Sequence, residues 1–90
     1  MDKIMIKKAV DREIEKACVL KSIDFSSLTL DDGFNLLSSG IFDSLGVLQL
    51  IMSLESELNA EIDLSEHAPS DFTNYSKLIE ILEMSRLVEG

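Results

Sequence analysis

The chain has 90 residues, with 17 acidic against 8 basic side chains and a net charge of −9. That balance argues against nucleic-acid binding and against anionic membranes, and it calls for partners with basic patches. At this length the expectation is one domain over residues 1–90, burying roughly 60–70% of its unfolded surface and holding no deep cleft between subdomains.

Hydrophobic residues make up 46% of the chain, which argues against disorder. Cys18 is the only cysteine, so an internal disulfide and a cysteine metal cluster are excluded. The start, Met1 to Lys8, lacks the apolar run of a signal peptide, and no stretch approaches the ~20 apolar residues of a membrane span. Without a disulfide framework the expected compartment is the cytoplasm, with no membrane insertion.

The hydrophobic spacing predicts an all-α chain of four helices and no sheet. The first helix is expected from about Asp2 to Val19, with Ile6, Val10, Ile14 and Ala17 on its apolar face. From Lys21 to Phe42 the pattern breaks. Ser, Asp and Gly residues supply turn chemistry there, interleaved with Phe25, Leu28, Leu30, Phe34, Leu36, Leu37, Ile41 and Phe42. A loop of ~20 residues is long for a compact domain, so its apolar residues are expected to pin it across the core. A short helical turn is expected near Asp31–Leu36.

The second helix is expected from Ser44 to Leu58. Val47, Leu50, Ile51, Leu54 and Leu58 form its core stripe, and Leu45, Leu48 and Met52 form a second stripe, expected to be part-exposed. A short third helix is expected within Leu64–Phe72, with Ser65 as a candidate N-cap and Pro69 limiting its length. Thr73 or Asn74 caps a fourth, with Tyr75, Leu78, Ile79 and Leu82 inward and fraying near Leu87–Gly90. The expected fold is thus a small four-helix bundle: three longer helices, one short helix and a long first crossover loop.

The candidate site is Ile41-Phe42-Asp43-Ser44-Leu45-Gly46. It sets a serine where an irregular stretch meets an amphipathic helix. A helix start offers unpaired N–H groups and the positive end of the helix dipole, which favour a phosphate group. No charged residue lies between Ser44 and Leu54. An isolated Asp-Ser-Leu is ordinarily no more than a helix cap. Its place in a short acidic helical chain, after a long loop and before an apolar helix, gives it weight.

Over about Leu28 to Leu82 the chain resembles the acyl carrier protein family, which includes peptidyl and D-alanyl carriers. Phe42-Asp43-Ser44-Leu45-Gly46 carries the resemblance most sharply, supported by Leu54-Glu55-Ser56-Glu57-Leu58 and Glu61-Ile62. The resemblance implies that Ser44 takes 4′-phosphopantetheine from coenzyme A and that cargo rides on its thiol as a thioester. It implies that Asp43 is read by the modifying transferase and that Leu45, Leu48 and Met52 contact partner enzymes. Methionine suits a surface that repacks against several partners.

Gly46 and Gln49 stand where carriers of fatty acid synthesis usually hold acids, so docking on basic patches of those enzymes is expected to be weaker. Asp43 to Leu50, together with Leu64-Ser65-Glu66 and Phe72 before Thr73, is locally closer to D-alanyl and related aminoacyl carriers. Glu55, Glu57, Glu61, Asp63 and Glu66 form an acidic stretch, either a solvated face or a collective guide for a basic partner.

Ser44 is a weak nucleophile without a base beside it. His67, the only histidine, is better read as a surface or capping residue, and Cys18 as a buried apolar one. Asp31-Asp32-Gly33 lacks the alternating ligands of a calcium loop.

The expectation is a non-enzymatic, monomeric carrier modified on Ser44. The resemblance implies three partners: a phosphopantetheinyl transferase, an acyl- or aminoacyl-loading ligase, and an acceptor transferase or synthase. A fatty acid or polyketide carrier remains an alternative, as does an unmodified helical interaction module.

Overall fold

The structure, a computed structural model, describes residues 2–87. Three α-helices dominate it: α1 (Lys3–Leu20), α2 (Ser44–Leu58) and α3 (Tyr75–Glu83). Each starts on a short polar side chain that accepts an unpaired first-turn N–H. Asp2 takes the N–H of Ile4, Asp43 that of Gly46, and Asn74 that of Lys77. Of the two expected caps for the last helix, Asn74 is therefore the one used.

The buried side chains form one cluster. Ile6, Val10 and Ile14 enter it from α1, Val47, Leu50, Ile51 and Leu54 from α2, and Leu78, Ile79, Ile81 and Leu82 from α3. Ala9 and Cys18 join the buried face of α1, whereas Ala17 is only half-buried. Each fully buried aliphatic side chain contributes about 1.5–3 kcal/mol relative to its exposed state.

The long first connection is pinned, as expected. Leu36 and Ile41 are buried in the core. The Leu36 N–H donates to the Thr73 carbonyl at 2.7 Å, and the Tyr75 N–H donates to the Phe34 carbonyl at 3.0 Å. This bridge ties the loop to the entrance of α3 and fixes the residues that lead into α2.

Two expected elements are corrected. Residues 31–36 form hydrogen-bonded turns and no helix; the helical turn of this connection is the 3-10 turn Phe25–Ser27, capped by Asp24. The single helix expected within Leu64–Phe72 is two 3-10 turns, Leu64–Glu66 and Pro69–Phe72. Asp63, not Ser65, caps the first turn, accepting both the N–H and the hydroxyl of Ser65. Pro69 then begins a new turn, because its ring cannot continue a preceding helix and it donates no N–H. The described residues therefore hold three α-helices rather than four.

Asn59 ends α2 in the left-handed region, with φ 51°. The chain then forms β1 (Ala60–Glu61), which pairs antiparallel with β2 (Arg86–Leu87). Ala60 lies opposite Leu87 and Glu61 opposite Arg86. This ladder is too short to add a sheet layer to an all-α fold. The fraying expected near Leu87–Gly90 is replaced at Leu87 by this pairing, and Val88–Gly90 lie outside the described residues.

Candidate functional site

The site forms where the pinned loop delivers the chain into α2. Ile41 anchors in the core, Phe42 is half-buried, and Asp43 and Ser44 are exposed. Asp43 is extended and Ser44 is the first helical residue. The Gly46 N–H donates to Asp43 Oδ1 at 2.6 Å, and the Val47 N–H donates to the Asp43 carbonyl at 2.9 Å. Asp43 thus closes the first turn with both its side chain and its backbone.

Gly46 fits this closure closely. A Cβ at position 46 would stand 3.0 Å from Asp43 Oδ1 and 3.5 Å from a ring carbon of Phe42. The capping carboxylate and the Phe42 ring fill the space that a side chain would need. This contact among Phe42, Asp43 and Gly46 was not anticipated from the sequence. Its only signal was the spacing Asp-x-x-Gly, which sets the smallest residue at the turn's third position.

The Ser44 hydroxyl enters no hydrogen bond among the described residues. Among the described residues no base is hydrogen-bonded to it, and its exposed hydroxyl is open to a second protein. The helix end already holds one anion, the Asp43 carboxylate. Of the four first-turn N–H groups, that of Gly46 is taken by Asp43, and those of Ser44 and Leu45 have no acceptor among the described residues.

Leu45, Leu48 and Met52 lie on one side of α2, with 63%, 49% and 67% of their surfaces exposed. Val47, Leu50, Ile51 and Leu54 occupy the opposite side and are buried. Gln49 is exposed beside the ridge, and Gly46 is half-buried on the first turn. The structure therefore brings the capping residue Asp43 together with Ser44, Leu45, Gly46, Leu48, Gln49 and Met52 at the start of α2. From Ser44 to Leu54 the helix carries no charge.

The acidic stretch divides. Glu55 accepts the Ile62 N–H at 3.0 Å and so braces the turn after α2. Glu57 pairs with Arg12 of α1. Glu61, Asp63 and Glu66 stay exposed. His67 stands edge-on to Phe72, with ring centroids 5.6 Å apart, and serves packing. Cys18 is buried, and burial pushes its thiol pKa up, away from reactivity. Among the described residues, no group of His, Cys, Asp and Glu is placed to hold a metal ion, and no helix is long and apolar enough to cross a membrane.

The sequence is similar to D-alanyl carrier proteins of Streptococcus pyogenes. Those of serotype M5 (strain Manfredo), serotype M49 (strain NZ131) and serotype M1 are each 35% identical over 60 residues. The match covers 67% of this chain and 72% of each relative. No protein-family model matches the sequence, and no solved structure matches the fold.

Proposed function

Since the chain belongs to the carrier protein family, we propose that it carries an aminoacyl group of the D-alanine class, as a thioester on 4′-phosphopantetheine attached to Ser44. The observation that carries this reading is the exposed, unpartnered Ser44 at the capped start of α2, flanked by an exposed apolar ridge.

The residues present fit the arm: the Ser44 side chain is exposed and its hydroxyl makes no hydrogen bond among the described residues. When attached, the group supplies a thiol on which cargo is held as a thioester. Asp43 and the Ser44 and Leu45 N–H groups act in opposite senses on a phosphodiester. The N–H groups attract it, while the carboxylate repels it and already occupies the Gly46 N–H. A phosphodiester on Ser44 would therefore be held only weakly by the helix end, which suits cargo that must reach several active sites.

The protein's part is positioning. Asp43 fixes the first turn, and the bridge from Leu36 to Thr73 fixes the approach to it. Leu45, Leu48 and Met52 give partners an apolar contact beside the attachment point. The partners are a phosphopantetheinyl transferase, an aminoacyl-loading ligase and an acceptor transferase, which supply the bases and metals this chain does not place at Ser44. The chain is a substrate of these enzymes and works in the cytoplasm as a monomer. The lack of acids at Gly46 and Gln49 favours the aminoacyl reading over fatty acid synthesis.

The test is to treat the phosphopantetheine-bearing protein with ATP and either a D-alanine-activating ligase or a fatty-acid-activating ligase, then record its mass. The D-alanyl adduct is expected. Fatty acylation alone, or no adduct with the D-alanine-activating ligase, would overturn the aminoacyl reading.

A further inference from the structure

Asn35 and Asn74 face each other across the isolated antiparallel bridge that joins the first connection to the entrance of α3. Both are part-buried, and each uses both ends of its side-chain amide. Asn74 Oδ1 accepts the Lys77 N–H at 3.0 Å, and its Nδ2 donates to the Asp32 carbonyl at 2.8 Å. Asn35 Oδ1 accepts the N–H groups of Leu37 and Ser38, both at 2.9 Å, and its Nδ2 donates to Thr73 Oγ1 at 3.4 Å.

The two asparagines differ in where they act. The bonds of Asn74 fall on α3 and on Asp32, before the bridge. The amide oxygen of Asn35 acts after the bridge, on the segment that runs to Ser44. That segment is a closed loop. The Asn35 carbonyl accepts the Ser39 N–H at 3.1 Å, and the Leu36 carbonyl accepts the Ser39 hydroxyl at 2.8 Å and the Phe42 N–H at 3.4 Å. Gly40, with φ 80°, turns the chain back in the region that glycine enters freely. Leu36 and Ile41 anchor the ends of the loop in the core, whereas Leu37, Ser38, Ser39 and Gly40 are exposed. No buried side chain sets the path of these four residues, so their hydrogen bonds do.

We propose that Asn35 is a positioning residue for the modification of Ser44, an inference that rests on Ser44 as the attachment point. Its amide oxygen holds the first turn of the loop, so that Phe42 and Asp43 reach α2 along one path. The exposed part of the loop ends at Gly40, four residues before Ser44, so an enzyme that reaches the Ser44 hydroxyl meets this loop as well. Without the Asn35 oxygen the loop samples several paths, and only the fraction on the native path binds the enzyme. Apparent affinity falls by that fraction, while the chemistry at a bound Ser44 keeps its rate. Asn35 acts on the reaction through the loop and touches no reacting atom.

The test is phosphopantetheinyl transferase kinetics on the full chain, with coenzyme A saturating and the carrier varied. Asn35→Ala is expected to raise KM for the carrier about threefold to tenfold with kcat unchanged. Asn35→Asp keeps acceptor oxygens for Leu37 and Ser38 and loses only the long bond to Thr73, so its KM is expected within about twofold of the unaltered chain. Asn35→Gln carries the amide one bond too far for this turn and is expected to match Asn35→Ala; it decides the matter if Asn35→Ala does not fold. Asn74→Ala strips the α3 cap and is expected to lower the urea midpoint while leaving KM unchanged. Hydrogen exchange on the unmodified chains reads the loop itself: the Leu37 and Ser38 amides are expected to lose protection in Asn35→Ala and to keep it in Asn35→Asp. An unchanged KM in Asn35→Ala and Asn35→Gln, a change confined to kcat, or an equal rise of KM in Asn74→Ala would each overturn the proposal and leave Asn35 a structural residue. No modification of the unaltered chain would instead overturn the Ser44 reading, and the exchange measurement tells the two failures apart.

Discussion

The Asp43 carboxylate accepts the Gly46 N–H at 2.6 Å, so the residue before Ser44 builds the cap that starts α2. Removing that cap leaves a first-turn donor without its partner. Asp43→Ala is expected to cost about 1 kcal/mol, within a range of ~0.5–2, and Asp43→Asn distinctly less, because its amide oxygen still caps. Urea unfolding of the two variants checks this. Equal losses would show that charge rather than capping dominates.

Ser44→Ala is expected to change stability by no more than ~0.5 kcal/mol, because the side chain is exposed and makes no hydrogen bond among the described residues. It is expected to abolish loading altogether. Thermal unfolding beside a loading assay separates the two effects. A large loss of stability would contradict the exposed placement.

Met52→Glu and Leu54→Ala test the two sides of α2 against each other. Met52 is 67% exposed and Leu54 is fully buried. Leu54→Ala is expected to cost about 2–5 kcal/mol by emptying core volume. Met52→Glu is expected to fold with a change within ~1 kcal/mol while slowing transfer to partners. If Met52→Glu unfolds the protein, the ridge is core.

Tyr75 links α3 to α1, because its hydroxyl donates to Asp11 while Lys7 lies over its ring and pairs with Asp11. Burial first, then the bond to Asp11, pushes the Tyr75 pKa from 10.0 to about 12. A folded-state pKa raised above the unfolded value stabilises the fold below pH 10. That stability is lost as pH rises from 10 through about 12. Lys7 is raised as well, through its bond to Asp11, and acts in the same direction. Tyr75 is the only tyrosine, so tyrosinate absorbance reads it directly. Titration near the ordinary value would contradict the burial and the Asp11 bond, and Tyr75→Phe is expected to flatten the alkaline decline in stability.

The sequence made the helices legible where apolar residues repeat over several turns. The inward faces of α2 and α3 were readable from Val47, Leu50, Ile51 and Leu54, and from Tyr75, Leu78, Ile79 and Leu82. In α1 the burial of Cys18 was readable, whereas Ala9 is buried without standing out beside Ile and Val, and Ala17, expected on the apolar face, is only half-buried. Residues 64–72 were misread because helix-like composition does not reveal two separate short caps, one at Asp63 and one where the Asp71 carboxylate accepts the Ala68 N–H at 3.2 Å. The ladder of β1 and β2 left no trace, since two residues per strand show no alternation. The place of Ser44 at the start of α2 and the exposure of Leu45, Leu48 and Met52 were legible from spacing. The fit of Gly46 against Asp43 and Phe42 was not, because it depends on the extended backbone at Asp43.

Everything proposed for this chain depends on Ser44 being the attachment point. The most direct test is intact mass after incubation with coenzyme A, magnesium and a promiscuous phosphopantetheinyl transferase, on the folded protein and on Ser44→Ala. A gain of one phosphopantetheine is expected in the former and none in the latter. No gain on the folded protein, or a gain that survives Ser44→Ala, would contradict it.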